Sequence, residues 1–484
     1  MTATTLAPDA PDAPDAPPEA DASTEHRWFV WGLVAIVIVG LVIRVVYIMT
    51  ARQDFFDNFK VGGDPFKLGD AYLYQRGAVL LADGKGFINP YQYDILHIRQ
   101  EDASHVPLFM LWLWIPAVLG FTGAQAAALW SAVLGGGTII IVALAGREMV
   151  GPRVGLIAAA FAAVYPNVFS HDGFLQSETM AIFTVTLAVW MAYRYWHRPS
   201  AWNAVWVAAA CTLAMLSRSE LALLVPVLFL PLVLRTPATS WKDRIRWLVF
   251  GGVAVVLLAG PWVVFNLTRF DRPVTLSDNF GYTLLTATCD TTYYGQGIGY
   301  WDFACAEPTY QRIHAWKHDR SVNEVEFRSE ALDYIKAHKG RVPIVVLARW
   351  ARFTGVWDLV KGFDQVHKDE YVEGREAGIA WGGALMYYPL ALLSIGGVVV
   401  LWRRRITILP VVAPFVVVWI AITLTFYMNR YRASAETCLC LLAAVAVDAV
   451  WTRLRRPSPA STPGAPGVEP APPDPEVASA AVPE

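Results

Sequence analysis

The charged side chains that border long apolar segments are the first candidates for chemistry, because charges in such places are costly and usually have a function. Asp70 and Glu178 could accept a proton from a nucleophile or orient it. Arg218, Arg430 and Arg432 could bind a phosphate group, because a guanidinium stays charged and contacts phosphate oxygens in pairs. These residue types indicate acid–base chemistry beside an anion. Each arginine taken singly could instead snorkel to a membrane interface.

The candidate bases have structural alternatives. Asp70 follows Gly69, where it could cap the start of a helix and stabilise it by about 1 kcal/mol. A helix start also favours the carboxylate form, so Asp70 would be ionised and would accept a proton late in the reaction. Asp64 is an alternative base, although Asp-Pro in a glycine-rich stretch is more typical of a turn.

His105 and Asp172 are candidates for binding a substrate. His105 could donate a hydrogen bond to a phosphate or an acceptor, or it could be a structural residue before a helix. Asp172 lies near Glu178 in the sequence, and Glu178 could also be a helix-start acid or a ligand of a divalent ion. Two carboxylates make a divalent metal ion possible. Because there is no strong ligand motif, the sequence establishes no cofactor.

Composition indicates the class of protein that must position these residues. The 484 residues are 55% hydrophobic and 17% charged, with a mean hydropathy of +0.39, whereas an ordinary soluble domain has about 25% charged residues. A net charge of −2 gives no basic surface for nucleic acid. Apolar runs near the roughly 20 residues needed to cross a bilayer predict an all-α, polytopic bundle of about ten transmembrane helices. These runs are 28–49, 124–146, 153–169, 178–197, 201–217, 220–234, 245–266, 381–402, 406–427 and 436–452.

Basic residues mark the cytoplasmic side of a membrane protein. With the N-terminus inside, the basic clusters between spans all lie inside only if two doubtful apolar runs, 106–121 and 342–360, do not cross. We therefore interpret both runs as re-entrant or interfacial helices. The basic clusters are Arg147 and Arg153, Arg194 and Arg198, Arg235, Lys242, Arg244 and Arg246, Arg403 to Arg405, and Arg453, Arg455 and Arg456.

This topology predicts a multi-pass plasma-membrane protein with both termini in the cytoplasm. The segments 1–25 and 456–484 are too poor in apolar residues to fold and are predicted to be disordered tails, which leaves 26–455 as the membrane domain. The loops 50–105 and 267–380 would lie outside, on the same face as the candidate residues. We therefore expect the chemistry on the extracytoplasmic face.

Two of the five cysteines lie in polar sequence. Cys289 and Cys305 belong to the long loop 267–380, whereas the other three lie in apolar runs, where a thiol behaves as a small hydrophobe. A Cys289–Cys305 disulfide is expected if the loop faces an oxidising compartment, and two free thiols otherwise. The Tyr and Trp residues of this loop could stack on sugar rings or form a membrane-interface belt.

Five short motifs occur in an order that resembles a superfamily of membrane enzymes. The first motif covers the first outer loop, where Gly69-Asp70 opens an amphipathic juxtamembrane helix and Ser104-His105-Val106-Pro107-Leu108 precedes the next helix. The later motifs are Tyr165-Pro166 with Ser177-Glu178, Leu216-Ser217-Arg218-Ser219-Glu220, Asn279-Phe280-Gly281 and Arg430-Tyr431-Arg432-Ala433-Ser434-Ala435-Glu436. The order resembles the C-type glycosyltransferase superfamily (GT-C), in the branch of the bacterial relatives of dolichyl-phosphate-mannose protein mannosyltransferases and lipid A aminoarabinose transferases. Val106, Ser219 and Ser434 stand where these enzymes often have proline.

The resemblance implies a membrane glycosyltransferase that moves a sugar from a polyprenyl-phosphate donor to a protein, lipid or cell-envelope glycan. It implies Asp70 as the base, Glu178 as a second catalytic acid and the arginines as ligands of the donor phosphate. A transporter or flippase of polyprenyl lipids or solutes, or a non-catalytic envelope-assembly protein, would have the same composition. A transporter would be expected to show internal repeats, which we do not find in the sequence.

Overall fold

The computed structural model describes residues 19–60, 63–237, 239–363 and 374–455. Within these ranges the chain forms helices, turns and one isolated antiparallel bridge between Ile88 and Glu101, without a strand. The predicted all-α class is therefore confirmed. The predicted tails lie mostly outside the described ranges, as does Arg456. The first helix begins at Glu19, before the predicted end of the N-terminal tail at residue 25.

The α-helices account for most of the described chain. In chain order they are α1 (Glu19–Thr50), α2 (Gln53–Asp57), α3 (Asp70–Ala82), α4 (Pro90–Ile95), α5 (Leu108–Val118), α6 (Ala124–Met149), α7 (Pro152–Val164), α8 (Pro166–Phe169), α9 (Glu178–His197), α10 (Ala201–Ser217), α11 (Leu230–Leu234), α12 (Trp241–Arg269), α13 (Phe280–Leu285), α14 (Asp290–Tyr293), α15 (Glu307–Arg312), α16 (Arg320–Ala337), α17 (Val342–Phe353), α18 (Val356–Lys361), α19 (Ala377–Arg403), α20 (Leu409–Leu424) and α21 (Asn429–Leu454). Shorter 3₁₀ and π segments join them at Pro65–Leu68, Ser170–Gly173, Ser219–Leu223, Val225–Phe229, Gly295–Gly297, Phe303–Cys305 and Ala315–Lys317.

Among the described residues, five helices are long and apolar enough to cross a membrane: α1, α6, α12, α19 and α21. A sixth span results if α7 and Pro166–Gly173 count as one helix with a bend of 70°. The bend lies at Tyr165, whose backbone is extended, as it usually is before proline. The chain is therefore a multi-pass membrane protein. The predicted count of ten is not confirmed, because several of the predicted apolar segments form helices shorter than a full span.

The two doubtful apolar runs also form short helices. Run 106–121 contains α5, with 11 residues, and run 342–360 contains α17, with 12 residues, followed by α18. Each is well short of the roughly 20 residues that a span requires. The loop 50–105 contains α2, α3 and α4, so the helices predicted within this loop are present.

Helix α21 forms the centre of the bundle. It is the most buried of the five long helices and packs against α7, α9 and α19. Its contact with α19 depends on Gly397, because a Cβ atom there would lie 2.1 Å from the Leu442 carbonyl oxygen. Helices α1 and α12 instead leave most of their apolar surface exposed, as expected of helices at the lipid-facing edge of a bundle.

The turns between the helices gather at the two ends of the bundle. At one end, Arg153 lies 3.6 Å from Asp448, and His197 lies 3.6 Å from Glu148. At the other end, the first turns of α3, α9 and α21 meet the last residue of α10 and the turn that follows it. This second end brings candidate residues from distant parts of the sequence together.

Candidate active site

A cavity of about 460 Å³ opens at this second end of the bundle. Its size is within the roughly 300–1,000 Å³ typical of small-molecule sites. Six parts of the chain line it: the start of α3, the segment before α5, Ser177 before α9, the end of α10 with the turn after it, the long loop, and the stretch from the end of α20 to the start of α21. Asp70, His105, Arg218 and Arg430 are among the lining residues.

Asp70 is presented to the cavity by the sharp start of α3. Gly69 precedes it with φ +51°, a left-handed conformation that favours glycine. Gly69 occupies the cap position, and no side chain caps this helix. The Asp70 carboxylate lies 2.7 Å from Arg430 Nη1 and 3.6 Å from His105 Nε2. The Asp70 side chain therefore contacts two other residues that line the cavity, rather than the backbone of its own helix.

The charges around Asp70 keep it ionised. Burial raises the pKa of its carboxyl group, but the positive charge of Arg430 and the contact with His105 together outweigh burial. The net result is a pKa below the ordinary aspartate value. Asp70 is thus a carboxylate at neutral pH, matched to a guanidinium at hydrogen-bonding distance.

Glu178 lies beneath the two arginines of the cavity. It begins α9, its side chain is only 1% exposed, and one carboxylate oxygen contacts both Arg218 Nη1 and, at 3.7 Å, Arg430 Nε. Glu178 is not among the cavity-lining residues. It links the two guanidinium groups from the buried side.

Arg218 follows α10 in extended conformation, which turns its side chain toward α9 and α21. Its Nε atom lies 2.5 Å from Glu220 Oε1, and its guanidinium lies 4.9 Å from the centre of the Tyr431 ring. Two carboxylates and an aromatic ring therefore orient this arginine.

Three other predicted site residues lie outside the cavity. Asp172 pairs with Arg44 of α1 at 2.7 Å, and both side chains are buried. Arg432 pairs with Glu436 at 2.6 Å and lies 3.7 Å from the centre of the Tyr387 ring. Asp64 precedes the 3₁₀ turn Pro65–Leu68 and does not line the cavity.

The sequence reasoning missed Tyr74 and Tyr431. Tyr74 packs against the His105 ring with 4.6 Å between ring centres, and Tyr431 lies under Arg218. Tyr74 lies one helical turn after Asp70, a spacing that places the two on the same face of α3. That spacing is the signal that could have identified Tyr74.

The long loop contributes only uncharged residues to the lining. Ten residues of the stretches 275–286 and 301–303 reach the cavity. A disulfide between Cys289 and Cys305 joins the chain next to both stretches. Within the described ranges, no group of three or more His, Cys, Asp or Glu side chains is arranged to hold a metal ion.

Comparisons with known proteins identify a family and several solved structures to which this chain is similar. Residues 104–265 match the family described as dolichyl-phosphate-mannose-protein mannosyltransferase. No curated protein matches the sequence significantly.

Solved membrane enzymes match most of the chain in structure. The oligosaccharyltransferase of Archaeoglobus fulgidus, tethered to an acceptor peptide, matches with a TM-score of 0.50 and 16% identity over 88% of this chain and 50% of that chain. The oligosaccharyltransferase AglB from the same organism, in complex with an inhibitory peptide and a dolichol-phosphate, matches with a TM-score of 0.47 and 15% identity over 88% of this chain and 51% of that chain. ArnT from Cupriavidus metallidurans bound to undecaprenyl phosphate matches with a TM-score of 0.39 and 15% identity over 87% of this chain and 77% of that chain. This chain spans about half the length of the oligosaccharyltransferase.

The family match and the shared fold confirm the resemblance to the GT-C glycosyltransferases. The chain has the all-helical membrane fold found in the matching half of the archaeal oligosaccharyltransferase.

Proposed function

We propose that this protein is a membrane glycosyltransferase that transfers a sugar from a polyprenyl-phosphate donor to an acceptor on the extracytoplasmic face. Residues 26–455 form its catalytic domain, and both termini are cytoplasmic. The observation that carries the proposal is the Asp70–Arg430 pair, which places an ionised carboxylate and a guanidinium 2.7 Å apart in one cavity.

In this reaction the acceptor oxygen forms a bond to the anomeric carbon, and the bond from that carbon to the phosphate oxygen breaks. The acceptor proton passes to Asp70, and polyprenyl phosphate leaves with one more negative charge than it carried in the donor. Asp70 is ionised and is a weak base, so it accepts the proton late, as the nucleophile loses its electrons to the new bond. The charge that develops on the phosphate requires positive groups already in position.

Arg218 and Arg430 supply those positive groups. Both line the cavity, and guanidinium groups bind phosphate oxygens in a bidentate way. His105, 3.6 Å from Asp70, is placed to donate a hydrogen bond to the phosphate or the acceptor. Glu178 contacts both arginines and is buried, so it acts as a positioning residue that holds them at the right separation.

The test is a transfer assay with the purified full chain in lipid nanodiscs and a panel of radiolabelled polyprenyl-phosphate sugars. We expect at least one donor to be consumed. Asp70→Asn should insert and fold normally but lose transfer by about 10²–10⁴-fold, the usual contribution of a general base.

Asp64→Asn is the matched control, because it makes the same chemical change at an aspartate outside the cavity. It should retain full activity. Full activity of Asp70→Asn would refute the assignment of the base, and loss of activity in Asp64→Asn alone would identify the rival base.

A further inference from the structure

One part of the cavity lining carries no charge. It comes from the long outer loop, and we call it the neutral face. The neutral face consists of Ser277, Asn279, Thr283, Thr286, Trp301 and Phe303. The charged residues that line the cavity come from other segments: Asp70, His105, Arg218, Glu220 and Arg430.

The two stretches that form the neutral face are joined directly. The Asp302 amide donates a hydrogen bond to the Thr286 carbonyl oxygen at 2.8 Å. The rings of Trp301 and Phe303 meet edge to face with 4.4 Å between their centres. The Cys289–Cys305 disulfide closes the chain between the same two stretches. The neutral face is therefore one continuous surface.

Charged residues next to the neutral face are paired away from the cavity. Asp278 pairs with Arg320 at 3.2 Å and accepts a hydrogen bond from the Ala103 amide. Asp302 accepts hydrogen bonds from the Ala304 amide and the Thr291 hydroxyl. None of these six residues lines the cavity. The neutral face therefore carries no charge, because the acidic side chains beside it bond to residues outside the cavity.

Two side chains of the neutral face have polar groups available for a ligand. The Asn279 amide and the Thr283 hydroxyl make no side-chain hydrogen bond to any part of the chain that the structure describes. An amide and a hydroxyl both donate and accept hydrogen bonds, as sugar hydroxyls do. Trp301 and Phe303 provide aromatic surface beside them, against which the apolar face of a sugar ring can pack.

A charged ligand group would be unfavourable at this surface. An ammonium or carboxylate that packs on this surface loses water, and no side chain of the neutral face supplies an opposite charge, so the loss is costly. We therefore propose that the neutral face binds an uncharged, hydroxyl-rich sugar ring and discriminates against amino sugars and uronic acids. This inference rests on the proposed function, because the ring is either the sugar of the donor or a sugar of the acceptor.

The experiment measures equilibrium binding to the full chain in nanodiscs, in two arms. The first uses polyprenyl phosphate that carries a neutral hexose, an amino sugar, a uronic acid or no sugar. The second uses the corresponding soluble methyl glycosides, added to protein saturated with sugar-free polyprenyl phosphate. We expect the neutral compound to bind about tenfold more tightly than either charged one, a difference of about 1.4 kcal/mol. Selectivity in the first arm assigns the ring to the donor, and selectivity in the second arm alone assigns it to the acceptor.

Asn279→Asp places a single charge on the neutral face without a change in shape. It should shift the preference toward the amino sugar by about tenfold, while the affinity for sugar-free polyprenyl phosphate stays the same. Asn203→Asp makes the same substitution in the first turn of α10, remote from Arg218 at the other end of that helix, and should change neither affinity. If Asn279→Asp does not fold, Thr283→Val removes the free hydroxyl instead and should weaken binding of the neutral compound only.

Equal affinity for neutral and charged compounds in both arms would overturn the proposal, as would a variant that weakens all ligands alike. Binding needs no turnover, so the two proposals fail separately. Selective binding without transfer contradicts only the glycosyltransferase assignment, and transfer without selectivity contradicts only the neutral face.

Discussion

Arg430 contacts Asp70 at 2.7 Å and Glu178 at 3.7 Å, so its replacement by alanine disturbs both acids of the site at once. The variant Arg430→Ala removes a charge-assisted contact to the proposed base and a ligand of the proposed donor phosphate. The variant should therefore weaken donor binding and also change the ionisation of the proposed base, and the two effects can be measured separately.

The size of the effect follows from the geometry. A hydrogen bond to a charged group contributes about 1.5–3 kcal/mol. The Arg430 and Asp70 side chains are 16% and 28% exposed, so solvent screening places the loss near the lower limit. A loss of about 1.5–2 kcal/mol corresponds to a decrease of about 10–30-fold in kcat/KM.

The pH dependence gives a second, independent readout. In the intact chain Arg430 and His105 hold the pKa of Asp70 below its ordinary value, so the carboxylate stays ionised throughout the range above about pH 5. In Arg430→Ala the largest lowering influence is gone, and burial raises the pKa. Activity that needs the ionised form is then lost as pH falls through the new, higher pKa, so an acid limb should enter the accessible range.

The assay is kcat/KM for donor between pH 4.5 and 8, with Arg430→Lys as the matched control. Lysine keeps the positive charge but lacks the guanidinium fork, so this variant should raise the donor KM without the new acid limb. An Arg430→Ala enzyme with a flat pH profile would refute the role of Arg430 in setting the ionisation of Asp70. Identical profiles for the alanine and lysine variants would do the same.

Two further predictions concern stability. Replacing Cys289 and Cys305 with serine removes a cross-link that closes a sequence separation of 16 residues, and should lower the unfolding free energy by about 3 kcal/mol; an unchanged melting temperature would show that the bridge is dispensable. Asp172→Asn leaves Arg44 buried without its ion-pair partner, and should destabilise the protein by about 3–5 kcal/mol. The double variant Arg44→Met with Asp172→Leu should recover much of that loss in a thermal unfolding assay, and failure to recover would mean that the charges themselves are needed.

The helices could be predicted because each is a continuous run of apolar residues, which is visible in the sequence without knowledge of tertiary contacts. Bends and short helices could not be counted in the same way, since a hydropathy run such as 153–169 continues through Tyr165 and Pro166, where the structure bends by 70°. The predicted number of spans is therefore larger than the number of helices long enough to cross among the residues that the structure describes.

The site could be predicted in part. Asp70, His105, Arg218 and Arg430 were found as charges at helix ends, and the structure brings them to one cavity. Arg432 lies two residues after Arg430, and on a helix with 3.6 residues per turn two such side chains point about 200° apart. Only one of them can face the cavity, and the sequence does not say which.

Other parts of the site depend on contacts between residues that are far apart in the sequence. Asp172 is paired with Arg44, 128 positions away, so nothing near Asp172 reveals that it is already satisfied. The neutral face comes from short helices and turns of the long loop, which are too short for a periodic pattern to indicate which side chains point inward.

The contact between Asp70 and Arg430 has a kinetic consequence. The proposed base and the proposed donor phosphate both bind the Arg430 guanidinium. Without donor, the Asp70 carboxylate is paired with Arg430 and is a poor acceptor for the proton of the nucleophile. In the proposed mechanism the donor phosphate competes with Asp70 for that guanidinium, and loss of the Arg430 contact would raise the pKa of Asp70. Substrate binding would then be ordered, with the donor first, and the base would become active only when there is a sugar to transfer.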